Sequence, residues 1–393
     1  MTPKEELKEV LNEMPKENKK LIIGITGLGL IGGSIAWALK RSEIVEKVIA
    51  FERTPKNLDY AKGLGVIDET SSCEIECLKD CDVIFICHPV DVVPYTAQKL
   101  AKISNALLTD VGSAKFEIMQ KVRELGVPRF IGGHPMAGSE KVGFHAASPT
   151  LLDNAIYVVC PGEAGDATGE LPSDSAGANT LQKDIALFEL LVKEIGAIPV
   201  RMEAAAHDHV VAVISHLPHM LASTLCTFAA SESERNKMIQ VLAAGGFKDI
   251  TRIASSNPDM WTEIALDSRV ELVPVMRKYV KEVEKLIDSI EAKNSDEICE
   301  TLEAGRVFRN EIAISGRGIL QALPEIRVEV SDKPGMIAKI TTILGDNNIN
   351  IQNVNIQNNR AYEGGSMRVT LQNAHDQELA VKLLGEHGFV CFE

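Results

Sequence analysis

The chain lacks a basic excess. Lys and Arg number 41 against 55 Asp and Glu, a formal net charge of −14. That excludes a nucleic-acid partner held on a generic basic face. It also means that an anionic substrate must be held by local cations against an unfavourable global field. The eight cysteines contain no C-x-x-C pair, and a chain of 393 residues needs no disulfide staples. They read as reduced thiols in a cytosolic protein. Cys73, Cys77 and Cys81 recur every fourth residue. The spacing predicts one helix face with a small buried stripe, a thiolate metal site being the other reading. Histidines 207, 209, 216 and 219 lack the H-x-x-x-H spacing of a helical zinc site, and no metal is expected there. No secretory leader is expected either. Thr2 to Lys20 mixes both signs of charge and reads as a frayed polar helix. Leu21 to Leu39 is uncharged and long enough to suggest a membrane span. Its glycines at 24, 27, 29, 32 and 33 would cost a lone helix about 1 kcal/mol each. The expectation is a cytoplasmic protein with no membrane partner.

What is present is an ordinary globular mix, 45% apolar and 24% charged, enough for about two to four domains. Strand and helix patterns alternate through the first half. Strands are expected at Leu21–Thr26, Lys47–Phe51, Asp82–Cys87, Ala106–Asp110, Phe130–Gly133, Ala155–Cys160 and Ile198–Met202. Helices are expected at Ile35–Arg41 and Leu181–Ile195. Such alternation implies an α/β domain with a parallel sheet covered on both faces. Residues 161–180 are rich in Gly, Ala, Ser, Asp and Pro and are expected to be a mobile surface loop. From Glu203 to Ala322 only helical periodicity appears, with more apolar residues than one helical layer would bury. A homodimer interface is the expected use. Beyond Pro324 the pattern is βαββαβ. The expected boundaries are 1–20 (extension), 21–202 (Rossmann-type α/β), 203–322 (all-α) and 323–393 (α+β).

Gly27-x-Gly29-x-x-Gly32 lies between the first strand and its helix, and Glu52 ends the next strand. The glycines permit a tight turn, backbone approach to a pyrophosphate and close helix packing, and the acidic residue suits ribose hydroxyls. This points to NAD. Arg53 beside Glu52 keeps NADP open, since an arginine there can receive a 2′-phosphate. The expected cofactor site comprises Gly27, Leu28, Gly29, Leu30, Ile31, Gly32, Glu52, Arg53 and Asp110.

Four further patches concentrate chemistry: Thr109–Lys115, Gly132–Glu140, His207–His219 and Gly245–Arg252 with Trp261. The first two follow sheet strands, where open α/β sheets bind ligands. His134 is the candidate general base, because imidazole titrates near pH 6.5 and can take an alcohol proton at neutral pH. In this order behind the fingerprint, TDVGSAK, GGHPMAGSE, HDHVVAVISHLPH and GGFKDITRIASSNPDMW resemble the prephenate dehydrogenases of tyrosine biosynthesis, from residue 21 to about 320.

That resemblance implies oxidative decarboxylation of prephenate to 4-hydroxyphenylpyruvate with release of carbon dioxide and NADH. It implies that His134 takes the ring hydroxyl proton and that Ser113 holds the same oxygen or His134 itself. Arg252 and His219 would bind a substrate carboxylate, and His207, Ser215, His216, Gly245, Glu140 and Trp261 would line the pocket. Arogenate dehydrogenase is a near alternative. A hydroxyacid dehydrogenase with Lys248 as its catalytic lysine is a remoter one. A non-catalytic amino-acid sensor is a third, against which Ser113, His134 and Arg252 speak. The stretch EVSDKPGMIAKITTILGDNNINI resembles an ACT domain, which implies an amino-acid effector, tyrosine first and phenylalanine second. Its expected contacts are Asp332, Pro334 and Gly335 in the turn and Asn350 after the helix.

Overall fold

The structure is a computed structural model that describes residues 20–52, 54–72, 74–138, 141, 143–162, 176–314, 324–331, 333–358 and 364–392. Residues 1–19 of the expected N-terminal extension and most of the 161–180 segment lie outside these residues. The chain divides into two compact units, residues up to Val283 and residues from Glu284 on.

The first unit opens with β1 (Leu21–Thr26), whose apolar run is buried on both faces. There follow α1 (Leu30–Leu39), β2 (Val45–Phe51), α2 (Pro55–Gly63), β3 (Glu69–Ser71), β4 (Val83–Ile86), α3 (Val93–Ala101), β5 (Leu107–Asp110), α4 (Phe116–Glu124), β6 (Phe130–Pro135), β7 (Ile156–Cys160), α5 (Ala176–Glu194) and β8 (Ile198–Arg201). The strands form one eight-stranded sheet in the order β3-β2-β1-β4-β5-β6-β7-β8. The first six strands are mutually parallel. β7 pairs antiparallel to β6, and β8 runs parallel to β7. The sheet expected to be parallel is therefore a Rossmann-type sheet with a reversed edge. β1 sits between β2 and β4, so strand order reverses there. The crevice at the carboxyl ends of β1 and β4 is the topological switch point where such sheets bind ligands.

Some local expectations shift. β3 has only three residues and is too short for a periodic signal. Helix α1 starts at Leu30, five residues before the expected Ile35, because Gly32 and Gly33 are packed inside it. Helix α5 begins at Ala176, so the end of the expected loop is helical. The cysteine stripe is not on a helix. Cys77 lies in a single 3-10 turn, Ile75–Leu78, and Cys81 is buried after it. Cys73 lies outside the described residues. Burial pushes the Cys77 and Cys81 thiols up to about 11 and about 12, which keeps both protonated at neutral pH.

The helical part of this unit contains α6 (Ala204–Val211), α7 (Leu217–Ser233), α8 (Met238–Leu242), α9 (Gly245–Thr251), α10 (Pro258–Asp267) and the start of α11 (Arg269–Glu291). A π-helical turn, Ala212–His216, joins α6 to α7. Ala204–Ser233 is, among the described residues, the one stretch long and apolar enough to cross a membrane. Its own core is small, Ala212 and Leu217 against Leu272 and Val275. Val241 and Leu242 stand 72% and 69% exposed, and Phe228, Ile250 and Leu266 are also exposed. An apolar surface of this kind marks an interaction face.

The second unit contains the end of α11, then α12 (Ser295–Ile314), β9 (Glu325–Ser331), α13 (Met336–Asp346), β10 (Ile351–Asn358), β11 (Gly364–Leu371), α14 (Ala374–Glu386) and β12 (Cys391–Phe392). The βαββαβ expectation matches these elements. The strands form an antiparallel sheet in the order β10-β11-β9-β12. Ile326, Val328, Met367 and Val369 pack from the sheet on Ile340, Leu344 and Leu384 from the helices.

Candidate active site

The first part of the site is the turn after β1. Gly27 has φ +90°, and a Cβ there would lie 2.3 Å from the Cys87 carbonyl oxygen. Only glycine fits this junction of β1 and β4. Gly29 caps α1, and a Cβ added to it would meet no atom within 4 Å. The helix N-terminus thus opens onto free space, with first-turn amides that have no intrahelical partner. Glu52 Oε2 accepts the Leu28 N–H (2.9 Å), and Oε1 accepts the Thr54 N–H (3.2 Å). A carboxylate has about four acceptor positions, so room remains for ribose hydroxyls. These features fit a dinucleotide.

Not every expected cofactor residue contributes as expected. The Leu28 side chain is fully buried in the core, and its amide is already given to Glu52. Leu30 and Ile31 are half-buried, and Ile31 leans on the same core. Arg53 lies outside the described residues. The Asp110 carboxylate is fully buried and taken up by the protein. Oδ1 accepts the Gly133 N–H (3.1 Å), Oδ2 accepts the Gly112 N–H (2.8 Å), and the Lys115 ammonium pairs with Oδ2. The Asp110 carboxylate therefore ties β5 to β6. Sequence reasoning missed His88 at the switch point. Its Nε2 meets Thr26 Oγ1 at 2.8 Å and its Nδ1 meets Thr96 Oγ1 at 3.2 Å. Its position just after β4 was the available signal.

The second part centres on His134, which lies inside β6 and not in the loop after it. The preceding Gly133 fits because a Cβ there would lie 2.6 Å from the Asp110 carbonyl oxygen. His134 Nδ1 lies 2.8 Å from His207 Nε2 on α6, and His207 Nδ1 lies 2.7 Å from Asp208 Oδ1. Asp208 in turn accepts the Lys115 N–H (2.7 Å) and the Phe116 N–H (2.9 Å) at the start of α4. Burial holds the His134 imidazole well below its usual pKa of 6.5, with the charges of His207, Lys115 and His216 acting the same way. It is therefore a neutral base at pH 7.

The π turn carries the chain from His207 to His216 and His219. Such turns are rare and occur mostly at functional sites. His216 is buried, and its Nδ1 has no hydrogen-bond partner among the described residues. Burial pushes its pKa down to about 4. The His219 ring stacks on Trp261 at 3.5 Å between centroids and 6° between planes, and His216 meets the same indole edge-on at 6.0 Å. Burial also lowers the His219 pKa, so this ring offers a hydrogen bond and not the positive charge expected of a carboxylate anchor. Arg252 starts a 3-10 turn packed on α7, is exposed, and has no ion pair or hydrogen bond among the described residues. Ser113 and Ser215 are half-buried, and neither hydroxyl is hydrogen-bonded among the described residues. Gly245 is the exposed first residue of α9. Glu140 lies outside the described residues. Among those described, no cluster of three His, Cys, Asp or Glu side chains has a metal-site disposition.

Residues 35–170 match the prephenate dehydrogenase nucleotide-binding domain, 203–304 the prephenate dehydrogenase dimerization domain, and 325–388 the ACT domain. The chain is 32% identical to the prephenate dehydrogenase of Bacillus subtilis (strain 168) over 361 residues, 91% of this chain and 93% of that protein. It belongs to the prephenate dehydrogenase family. Among solved members, the Aquifex aeolicus prephenate dehydrogenase in complex with hydroxyphenyl propionate and NAD+ is 29% identical. It superposes with TM-score 0.67, covering 75% of this chain and 99% of that one. The Synechocystis arogenate dehydrogenase is also 29% identical, with TM-score 0.63 over 74% of this chain and 99% of that one.

In the family's ACT module, Gly335 caps α13 in the left-handed conformation (φ +89°). Pro334 and Asn350 are exposed. Asp332 lies outside the described residues.

Proposed function

We propose that the chain is an NAD-dependent prephenate dehydrogenase that converts prephenate to 4-hydroxyphenylpyruvate and carbon dioxide. The observation that carries this reading is a neutral, partly buried imidazole, His134, on β6 of the sheet whose switch point bears the dinucleotide turn. NAD, when bound, supplies the hydride acceptor. His134 takes the proton of the ring hydroxyl as hydride leaves the same carbon. The bond from the ring to the carboxylate then breaks, its electrons complete the aromatic ring, and the proton returns to the phenolate oxygen. Ser113 holds that oxygen or His134. Arg252 supplies the cation for a substrate carboxylate, since its planar fork binds carboxylates bidentately. His219 adds a neutral hydrogen bond. Ser215, His216, Gly245 and Trp261 line the pocket, with His207 behind His134.

NADH production with purified prephenate tests the reading. Arogenate is the second reading, favoured by a likeness to the Synechocystis arogenate dehydrogenase as close in identity as that to the A. aeolicus enzyme. Turnover of arogenate at a higher kcat/KM than prephenate would decide for it. No NADH with either substrate would leave an amino-acid sensor. Arg252→Gln is expected to raise KM for prephenate by roughly 10- to 100-fold, the usual worth of a charge-assisted pair, and to leave NAD affinity unchanged. Weakened NAD binding instead would move Arg252 to the cofactor side.

The enzyme is proposed to be a cytoplasmic homodimer joined through the apolar helical face, with tyrosine as the effector of the ACT module and phenylalanine second. Coupling between sites is usually worth about 1–3 kcal/mol, so tyrosine is expected to lower prephenate affinity about 5- to 150-fold. Removal of residues 323–393 should abolish this component. Inhibition of unchanged strength, still competitive, after truncation would end the assignment.

A further inference from the structure

We propose that His207 and Asp208 are positioning residues that set the tautomer of His134, so that its Nε2 presents the lone pair to the substrate. This rests on His134 being the base. The Asp208 carboxylate is an acceptor at each of its contacts. Oδ1 takes the Lys115 N–H and Oδ2 takes the Phe116 N–H, both at the head of α4. Backbone amides have no other role to play, so the carboxylate is held as an acceptor with fixed orientation. His207 Nδ1, 2.7 Å from Oδ1, is then the donor. With its proton on Nδ1, His207 presents its lone pair at Nε2, 2.8 Å from His134 Nδ1. That distance requires one proton between the two nitrogens, and it belongs to His134 Nδ1. The remaining nitrogen of His134, Nε2, carries the free lone pair.

The logic is that of an orienting carboxylate behind a catalytic imidazole, with a second imidazole inserted between them. The insertion follows from the fold. Asp208 is committed to the amides of α4, and His207 bridges from α6 to β6, where His134 stands. His207 is fully buried, so water offers no substitute acceptor. The near-perpendicular rings, 80° apart with centroids 5.1 Å apart, fit an in-plane hydrogen bond from one ring to the lone pair of the other. When His134 becomes imidazolium, its Nδ1–H keeps the same acceptor, so the proton transfer needs no rearrangement.

Two measurements test this on the full-length enzyme. In the first, ¹⁵N-histidine NMR of the wild type, with His134 assigned by its loss in His134→Asn, should show His134 protonated at Nδ1 and bare at Nε2. A proton on Nε2 would overturn the proposal. In the second, kinetics compare two variants. His207→Phe removes the acceptor and is expected to lower kcat about tenfold or more, towards the roughly 10⁴-fold loss known for a mis-set tautomer, with KM nearly unchanged. His207→Gln offers an amide oxygen in place of Nε2 and is expected to restore most of kcat. Wild-type kcat in His207→Phe, or equal losses in both variants, would sink the positioning role. These outcomes are distinct from failure of the base itself, which would appear as activity retained in His134→Asn. If His207→Phe does not fold, the wild-type NMR pattern alone decides.

Discussion

His134→Asn is expected to lower kcat by roughly 10²- to 10⁴-fold, the usual worth of a general base, while KM changes only a few-fold. Asparagine keeps a polar group near the ring nitrogen's position but cannot accept a proton at neutral pH. The pH profile supplies an independent check. Burial sets the His134 pKa below 6.5, so the base form persists through neutral pH. The wild-type kcat/KM should therefore hold down to about pH 6.5 and fall only as pH drops through the lower folded pKa. In His134→Asn that acid limb should vanish with the base. A variant with near-full kcat, or with the same acid limb, would assign the proton to another group. His216 is the nearest rival by chemistry; burial lowers its pKa too, to about 4, and the acid limb of a His216→Asn variant separates the two.

The depressed histidines also give stability a direction with pH. A histidine with a lowered folded pKa binds its proton more readily in the unfolded chain. For His216, full stability holds above about pH 6.5 and is lost progressively as pH falls through the window down to about 4.

Legibility in the sequence followed the range of the interactions. The β1 turn was readable because its glycines, strand and helix lie within a few residues, and each has a local steric reason. The helical segment and the βαββαβ module were readable from periodicity alone. The pairing of His134 with His207 was not, since 73 positions separate the rings and no local pattern encodes their meeting. The partners of the Asp110 carboxylate were hidden for a related reason. An aspartate at the end of a central strand suits a ligand, but here it faces a buried lysine and two amides whose direction only the folded loop decides. The reversed β7 was hidden because a buried strand has the same apolar run in either direction. The cysteine spacing mimicked a helix across a stretch that is mostly turn.

Lys115→Met is expected to cost the folded state about 3–5 kcal/mol, the toll for stranding one charge of a buried pair. Lys115 and Asp110 are both fully buried. Methionine keeps much of the lysine stem volume, so lost packing contributes little. What remains is a carboxylate without its counter-ion, still bound to the Gly112 and Gly133 amides. Total stability of a domain is about 5–15 kcal/mol, so the denaturant midpoint should drop markedly. The double variant Lys115→Met with Asp110→Asn should recover part of the loss. The asparagine oxygen can still accept a backbone N–H, and the stranded charge is gone. Denaturant unfolding of the wild type and both variants measures this. A single variant within about 1 kcal/mol of wild type, or a double variant less stable than the single, would show that the pair is not the fastening it looks to be. The consequence reaches the chemistry, because Lys115 touches the base by two routes. Its ammonium holds Asp110, which grips the amide beside His134, and its own amide holds Asp208 behind His207. Lys115→Met keeps the second route and cuts the first. Its kcat should therefore fall less than that of His134→Asn, even though its loss of stability is the larger of the two.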